Sequence, residues 1–256
     1  MILTTEALVL RTLKYSESSL IATLFTRDHG KISVLAKGAR RKSRPFSAAI
    51  EAMNHVRAVI YHKPQRELQL LTQCDLVGRY PAVAEDLTRM AVGMAAVEIL
   101  HLATEHDEPH PEVFDLAIDL FKTLQNATQR YPNALYAYEV RLLGLLGFKP
   151  SLQQCVSCHG GLDTSGPAGR TLRLTANGVL CGNCGESSET GLLLSRASCA
   201  ALASFQNVGG IASALRIVLS PEMSRELHNA LQHLVQVHLT GMRQLKSEQI
   251  FSRIQS

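Results

Sequence analysis

Up to about Leu76 the apolar residues fall into short runs of β type: Ala7–Leu13, Leu20–Thr26, Ile32–Lys37, Val56–His62 and Glu67–Cys74. Turn signals separate them, notably Arg27-Asp28-His29-Gly30 and the loop at Pro64, at spacings that suit successive antiparallel strands. Five such strands suit a small barrel. Beyond Pro81 the period changes. Val83, Leu87, Met90, Met94 and Val97 recur at helical spacing and predict one helix with these residues along a single face, begun by the proline. A polar loop, Glu105 to Pro111, leads to a second predicted helix over Glu112–Ala127. A third opens near Pro132, carries Leu135, Tyr138, Leu142, Leu145 and Leu146, and stops at Gly147-Phe148-Lys149-Pro150.

From Ser151 to about Gly191 the helical pattern lapses into glycine and hydroxyl residues, with too few large apolar side chains for a core of its own. Helical spacing returns over Ser195–Phe205 and again from Pro221 to about Met242, where Leu227, Leu231, Leu234 and Val235 mark the apolar side. The expected organisation is α+β and multidomain: a strand-built domain over 1–80, a helical domain over 81–150 and 191–256, and an inserted module over 151–190.

The insertion holds the strongest chemical signal. Cys155-Val156-Ser157-Cys158 is followed, 22 residues later, by Cys181-Gly182-Asn183-Cys184. Each pair offers two thiolates from a tight turn, and two such turns together supply the closed four-sulfur set that structural zinc prefers. Thr171–Leu174 and Gly178–Leu180 are expected to be short strands between them, giving a zinc ribbon in which the metal stands in for the missing core. Four sulfurs leave no open position for water or substrate, so the site reads as structural. Dithiol redox chemistry is the competing reading, without the βαβ context that usually accompanies it. His159 is a spare donor, while Cys74 and Cys199 stand alone and read as small buried residues.

Composition narrows the class. The 256 residues are 46% apolar and 19% charged, without tryptophan, which excludes disorder as the main state. The longest apolar stretch, Met90–Leu100, contains Glu98 and falls short of the roughly 20 residues a membrane crossing needs. Met1–Leu10 lacks a basic start and a cleavage pattern, so a cytoplasmic protein is expected. The net charge of +4 is unevenly spread: residues 1–80 carry 13 Lys and Arg against six Asp and Glu, leaving the remainder mildly acidic.

That excess centres on Lys37-Gly38-Ala39-Arg40-Arg41-Lys42-Ser43-Arg44, five cations in eight residues after a predicted strand. A solvated loop and a phosphate-binding loop fit such a run equally well on composition. Tyr15, Phe25, Phe46 and Tyr61 are candidate stacking aromatics, Phe25 being better suited to the barrel core. The clusters His101, Glu105, His106, Asp107, Glu108, His110 and His228, His233, His238 do not present ligands on one helix face; the first reads as a solvated connecting loop. No G-x-x-x-x-G-K-[ST] loop, G-x-S-x-G or H-E-x-x-H occurs, so a binding protein rather than an enzyme is expected.

Taken in order, Ser16-Glu17-Ser18-Ser19, Leu24-Phe25-Thr26, His29-Gly30-Lys31, Ala36-Lys37-Gly38-Ala39-Arg40, Glu139 to Gly147, the paired C-x-x-C motifs and Leu245-Lys246-Ser247 resemble the bacterial RecO family of recombination mediators, in its zinc-containing branch. The resemblance runs over essentially the whole chain. It implies an N-terminal five-stranded OB-fold β-barrel, an α-helical domain and an inserted four-cysteine module holding one Zn²⁺. It also implies binding of single- and double-stranded DNA, annealing of complementary strands, and joint action with RecR to help RecA displace single-strand-binding protein.

Carried over residue by residue, the match makes Lys37, Arg40 and Arg41 DNA contacts, with Lys42 and Arg44 following by charge and proximity. It further implies that the helical domain receives the acidic, apolar C-terminal tail of single-strand-binding protein, for which Arg130 and Arg141 are rim candidates. A C-x-x-C oxidoreductase, or a zinc-ribbon nucleic-acid module of transcription or translation, remains the alternative.

Overall fold

The computed structural model describes residues 1–40, 48–162, 172–186, 190–239 and 245. Met1–Asn126, joined by Leu245, form one compact unit, and the described residues from Ala127 to Leu239 a second.

The first unit is built on five strands: β1 (Ile2–Lys14), β2 (Leu20–Thr26), β3 (Gly30–Ala36), β4 (His55–Tyr61) and β5 (Leu68–Gly78). They close in the order β1-β2-β3-β5-β4, with every pairing antiparallel except β3 with β5. This is the expected five-stranded, OB-like barrel. Closure depends on the length of β1. Its Ile2–Leu8 half pairs with β4 and its Ala7–Lys14 half with β2, and a register shift between Val9 and Arg11 bends the strand from one partner to the other. The sequence pattern placed the start of β1 at Ala7, five residues late. Thr4, Thr5 and Glu6 dilute the apolar alternation there, although Leu3 and Thr5 are buried.

The barrel interior takes alternate residues, among them Val9, Leu24, Ile32, Val34, Val56 and Ile60, and it is narrow enough that Ala7, Ala22, Ala36 and Ala58 also point inward. Ala39, Ala49 and Ile50 plug it from the β3–β4 connection. Phe25 is fully buried but outside this cluster: its ring lies 6.3 Å from that of Phe114. Its expected place in the barrel core is therefore corrected to the outer wall, beneath a helix.

That helix belongs to a set covering the barrel: α1 (Pro81–Glu85), α2 (Leu87–Ala103) and α3 (Pro111–Asn126). The single helix expected after Pro81 is broken at Asp86, whose backbone is extended and whose carboxylate accepts the Arg89 N–H at 2.9 Å as an N-cap. The expected stripe shifts with it. Val83 and Val97 are buried as expected, but Leu87 and Met94 are exposed, and α2 also buries Ala91, Val92, Ala95, Ala96, Ile99 and Leu100.

The Glu105–Glu108 segment is no merely solvated loop. Lys31 N–H donates to Glu105 O and Asp107 N–H to Lys31 O, so it runs alongside β3. Gly30, at φ +66°, allows this approach, since a Cβ there would overlap the backbone of Glu108. Lys31 Nζ then donates to the His101 carbonyl in the last turn of α2 and to that of its C-cap, Thr104.

In the second unit α4 (Tyr131–Leu145) is the central helix, packed by α6 (Arg196–Gln206), α7 (Ile211–Ala214) and α8 (Pro221–His238). Tyr136 stands edge-on to Phe205 and donates through its hydroxyl to Ser224 O. Asn133 Nδ2 donates to Ala214 O and Ile217 O. The expected stop of α4 is realised as a glycine cap: at Gly147, φ is +89°, and Phe148 N–H returns to Leu143 O. Leu227, Leu231, Leu234 and Val235 are buried on α8 as expected, whereas Leu145 is exposed.

A three-stranded sheet completes this unit, in the order β7 (Gly178–Leu180), β6 (Leu172–Thr175), β8 (Leu192–Leu194), with a single turn of helix, α5 (Gly182–Glu186), between β7 and β8. Two strands of the ribbon are where the pattern put them, though Thr171 lies outside the described residues; β8 is an addition. Its Leu194, with Leu172, Leu174 and Val179, gives the module more apolar packing than its composition promised.

Candidate nucleic-acid interface and metal centre

In barrels of this topology, ligand strands lie on the β2–β3 face, framed by the β1–β2 and β4–β5 loops. Here both loops are held by specific hydrogen bonds. Ser16 to Ser19 form a turn in which Tyr15 N–H and Ser16 N–H both donate to Ser19 O, at 3.1 and 3.3 Å. Arg40 closes it from outside: its Nη1 donates to Ser16 O and Glu17 O, both at 3.0 Å, and its backbone N–H to Ser18 O. Gly38, at φ +73°, turns the chain after β3 so that Arg40 reaches this loop.

The β4–β5 loop is organised by Gln69, which is nearly buried. Its Oε1 accepts the Lys63 N–H at 2.8 Å and its Nε2 donates to Lys63 O and Arg66 O. Lys63 and Arg66 are exposed on this loop, and Lys63 Nζ lies 5.6 Å from the ring centroid of half-exposed Tyr61. Sequence reasoning noted the turn at Pro64 but passed over these two cations. The signal was available in the adjacency of Tyr61, Lys63 and Arg66.

Of the sequence-predicted DNA contacts, Lys37 and Arg40 are exposed at the rim where β3 ends. Arg41, Lys42 and Arg44, with the candidate aromatic Phe46, lie outside the described residues. Tyr15 is 60% exposed beside the same rim. In the second unit Arg130 is exposed and donates to Leu215 O, while Arg141 on α4 has its Nη1 buried with no hydrogen bond among the described residues. Of the histidines singled out on α8, His238 stacks on Phe148 with its Nε2 2.8 Å from Ala176 O.

The four cysteines converge. The Sγ atoms of Cys155, Cys158, Cys181 and Cys184 all lie within 4.8 Å of one another, and those of Cys158 and Cys181 are 3.9 Å apart. A tetrahedron with metal–sulfur bonds of about 2.3 Å has sulfur edges of about 3.8 Å, so the donor set fits one ion of that kind.

The chain shapes both turns for the task. Cys155 N–H donates to Gly160 O, His159 N–H to Cys155 O with His159 in the left-handed region, and Gly185 N–H to Cys181 O. Cys181 N–H points at Cys155 Sγ from 3.3 Å. Arg173 on β6 fixes the second turn, donating to Gly185 O and Gly191 O. Burial opposes ionisation of Cys155, yet N–H groups of Cys158, Cys181 and Ser157 prevail and lower its pKa to about 6. Cys184, bonded to the Cys181 thiol above all, is pushed up to about 12. The cage thus stabilises thiolate charge at one corner and shares protons elsewhere, the state a cation would displace. Cys74 and Cys199 are buried, as expected, and burial raises both thiols, to about 12 and about 11. His159 is exposed and is not part of the cluster.

A closed five-stranded barrel of OB type, helices, and a four-cysteine centre able to hold a metal define a class of modular protein with two chemically distinct sites. Residues 1–80 match the family described as Recombination protein O N terminal, and residues 84–249 that described as Recombination protein O C terminal. The chain is 32% identical to DNA repair protein RecO of Symbiobacterium thermophilum, over 98% of this chain and 97% of that one, and 30% identical to its namesake in Desulfatibacillum aliphaticivorans, over 92% of each. A match to the RecO of Rhodopirellula baltica, at 36% identity, takes in 70% of this chain and 65% of the relative, and one to that of Salinibacter ruber, also 36%, takes in 60% and 59%. The chain belongs to the RecO family of DNA repair proteins. Among the described residues no helix is long and apolar enough to cross a membrane.

Proposed function

We propose that this protein is a non-enzymatic recombination mediator of the bacterial cytoplasm, working at the nucleoid. It binds single- and double-stranded DNA, lowers the charge repulsion between complementary strands so that they anneal, and with RecR helps load RecA onto DNA coated by single-strand-binding protein. The observation that carries this reading is the barrel rim, where Lys37 and Arg40 emerge beside an ordered β1–β2 loop in a chain of the RecO family. Arg41, Lys42 and Arg44 continue the cationic strip in sequence, and Lys63 and Arg66 add a second basic loop on the barrel.

The division of labour follows the expected domains: DNA on 1–80, protein partners on the helices of 81–150 and 191–256, and a structural module over 151–190. Cys155, Cys158, Cys181 and Cys184 hold one Zn²⁺ there, and with four thiolate ligands it serves architecture rather than hydrolysis. Arg130 and Arg141 receive the acidic C-terminal tail of single-strand-binding protein; the Nη1 of Arg141, buried and without a hydrogen bond among the described residues, is a donor that a carboxylate would satisfy. The deciding experiment mixes complementary strands precoated with single-strand-binding protein, without ATP. Annealing accelerated by this protein is the expected result, and a protein that neither binds nor anneals DNA is no mediator. Metal analysis with thiol titration addresses the oxidoreductase alternative: stoichiometric zinc protecting four thiols excludes it, and a metal-free, readily cycled disulfide supports it.

A further inference from the structure

Arg40 is placed to do something other than neutralise phosphate. Three successive carbonyls of the β1–β2 loop, those of Ser16, Glu17 and Ser18, are all taken up by this one residue, two by Nη1 and one by its backbone N–H, each at 3.0 Å. Both hydrogens of Nη1 are thereby aimed into the protein. A cation used in this way organises a loop, and removal of its side chain would leave the Ser16 and Glu17 carbonyls without this partner.

The ladder shows what the loop presents. Lys14 pairs with Leu20 and Leu20 with Ala36, so Tyr15 and Lys37 leave the barrel at the same rim, two strand spacings or about 10 Å apart. Tyr15 has its backbone N–H tied to Ser19 O while its side chain is 60% exposed. An exposed aromatic ring on a fixed loop beside an exposed ammonium is the combination that holds single strands: the ring stacks on an unpaired base and the cation meets the neighbouring phosphate. A duplex keeps its bases stacked internally and offers the ring nothing comparable.

We propose that Arg40 is a positioning residue that builds a subsite for single-stranded DNA from the β1–β2 loop, with Tyr15 as the stacking platform and Lys37 as the phosphate contact. The proposal rests on the DNA-binding reading above and adds to it a source of strand preference.

The test is a salt series of fluorescence anisotropy with labelled oligothymidylate and with a duplex of equal length, using the full chain and its Lys37→Ala, Arg40→Ala, Tyr15→Ala and Arg40→Ala/Tyr15→Ala variants. Lys37→Ala should reduce the single-strand salt slope by about 0.7, the value for one lost phosphate contact. Arg40→Ala should weaken oligothymidylate binding about tenfold with the slope retained, weaken duplex binding far less, and add little to the loss in Tyr15→Ala. Hydrogen exchange at the Tyr15 and Ser16 amides should rise in Arg40→Ala, while an unchanged melting temperature certifies the fold. A slope reduced as in Lys37→Ala, unaltered affinity, or losses at Arg40 and Tyr15 that simply add would each overturn the positioning role while leaving DNA binding intact. Absence of any DNA binding by the unaltered chain overturns both.

Discussion

The ammonium of Lys31 lies 2.7 Å from the backbone carbonyl of His101, inside the first unit, on a residue only 6% exposed. It also serves Thr104 O, so one side chain from the barrel occupies the carbonyl end of α2, where the helix dipole favours a cation. Burial lowers its pKa below the usual lysine value, and nearby Glu105 only partly opposes this. Replacement by methionine keeps the stem and removes the donors. We expect Lys31→Met to cost about 1.5–3 kcal/mol, the range for a hydrogen bond involving a charged group, read from urea unfolding by circular dichroism.

Next to it, Gly30 combines a positive φ with direct contact from the Glu108 backbone. An alanine must distort both, unlike an ordinary surface Gly→Ala change, which stabilises a chain slightly. Gly30→Ala is therefore expected to lower the melting temperature, and alanine at Gly209, where a Cβ would meet nothing within 4 Å, should not.

These two residues show where sequence reading stops. The His29-Gly30-Lys31 segment was legible as a family mark, but nothing local reveals that the glycine admits a backbone some 78 residues away or that the lysine caps a helix. The barrel was legible because its apolar residues fall into short β-type runs parted by turn signals; α2 was misjudged because Ala91, Ala95 and Ala96 are buried yet weakly hydrophobic, while Leu87 and Met94 are strongly apolar yet exposed. The cysteines were found outright, since metal-ligand spacing is local. Arg40 was visible only as charge, and its carbonyl partners lie 22 to 24 positions away.

Acidification should destabilise the protein through its histidines. His55, His101 and His228 all have pKa values lowered from 6.5, chiefly by burial; for His55 this outweighs the adjacent Glu6 carboxylate. Between 6.5 and the lower folded values the unfolded chain binds more protons, so stability is full above that window and is lost as pH falls through it. Melting temperatures from about pH 7.5 to about pH 5.5 should decline, and less steeply in His55→Gln. A decline of equal steepness in that variant would remove His55 from the account.

The charge of the run that starts at Lys37 predicts salt dependence. Removing Lys37, Arg41, Lys42 and Arg44 together, with Arg40 kept for its structural bonds, should reduce the single-strand salt slope by about 2–3 and weaken duplex binding as well. An unchanged slope would move the DNA interface away from this run, with the Lys63–Arg66 loop the next place to look.

Metal removal should separate the two units. The four-cysteine cluster, with Cys155 inclined to thiolate and Arg173 bracing the second turn, is in the second unit, whereas the barrel's core is independent of it. The small sheet relies on few apolar residues, so loss of a bound ion should cost it most of its stability, as in other modules whose metal affinity is folding energy. One zinc per chain is expected by elemental analysis. A strong chelator, or Cys155→Ser, should release it, expose the cluster thiols to titration (four after chelation, three in the variant) and make residues 172–186 susceptible to protease, while amide exchange in β1–β5 stays protected. Uptake should release protons, since at least Cys184 is protonated at neutral pH without a metal. Equal loss of protection in the barrel and the small sheet would show that the metal supports the whole chain rather than one module.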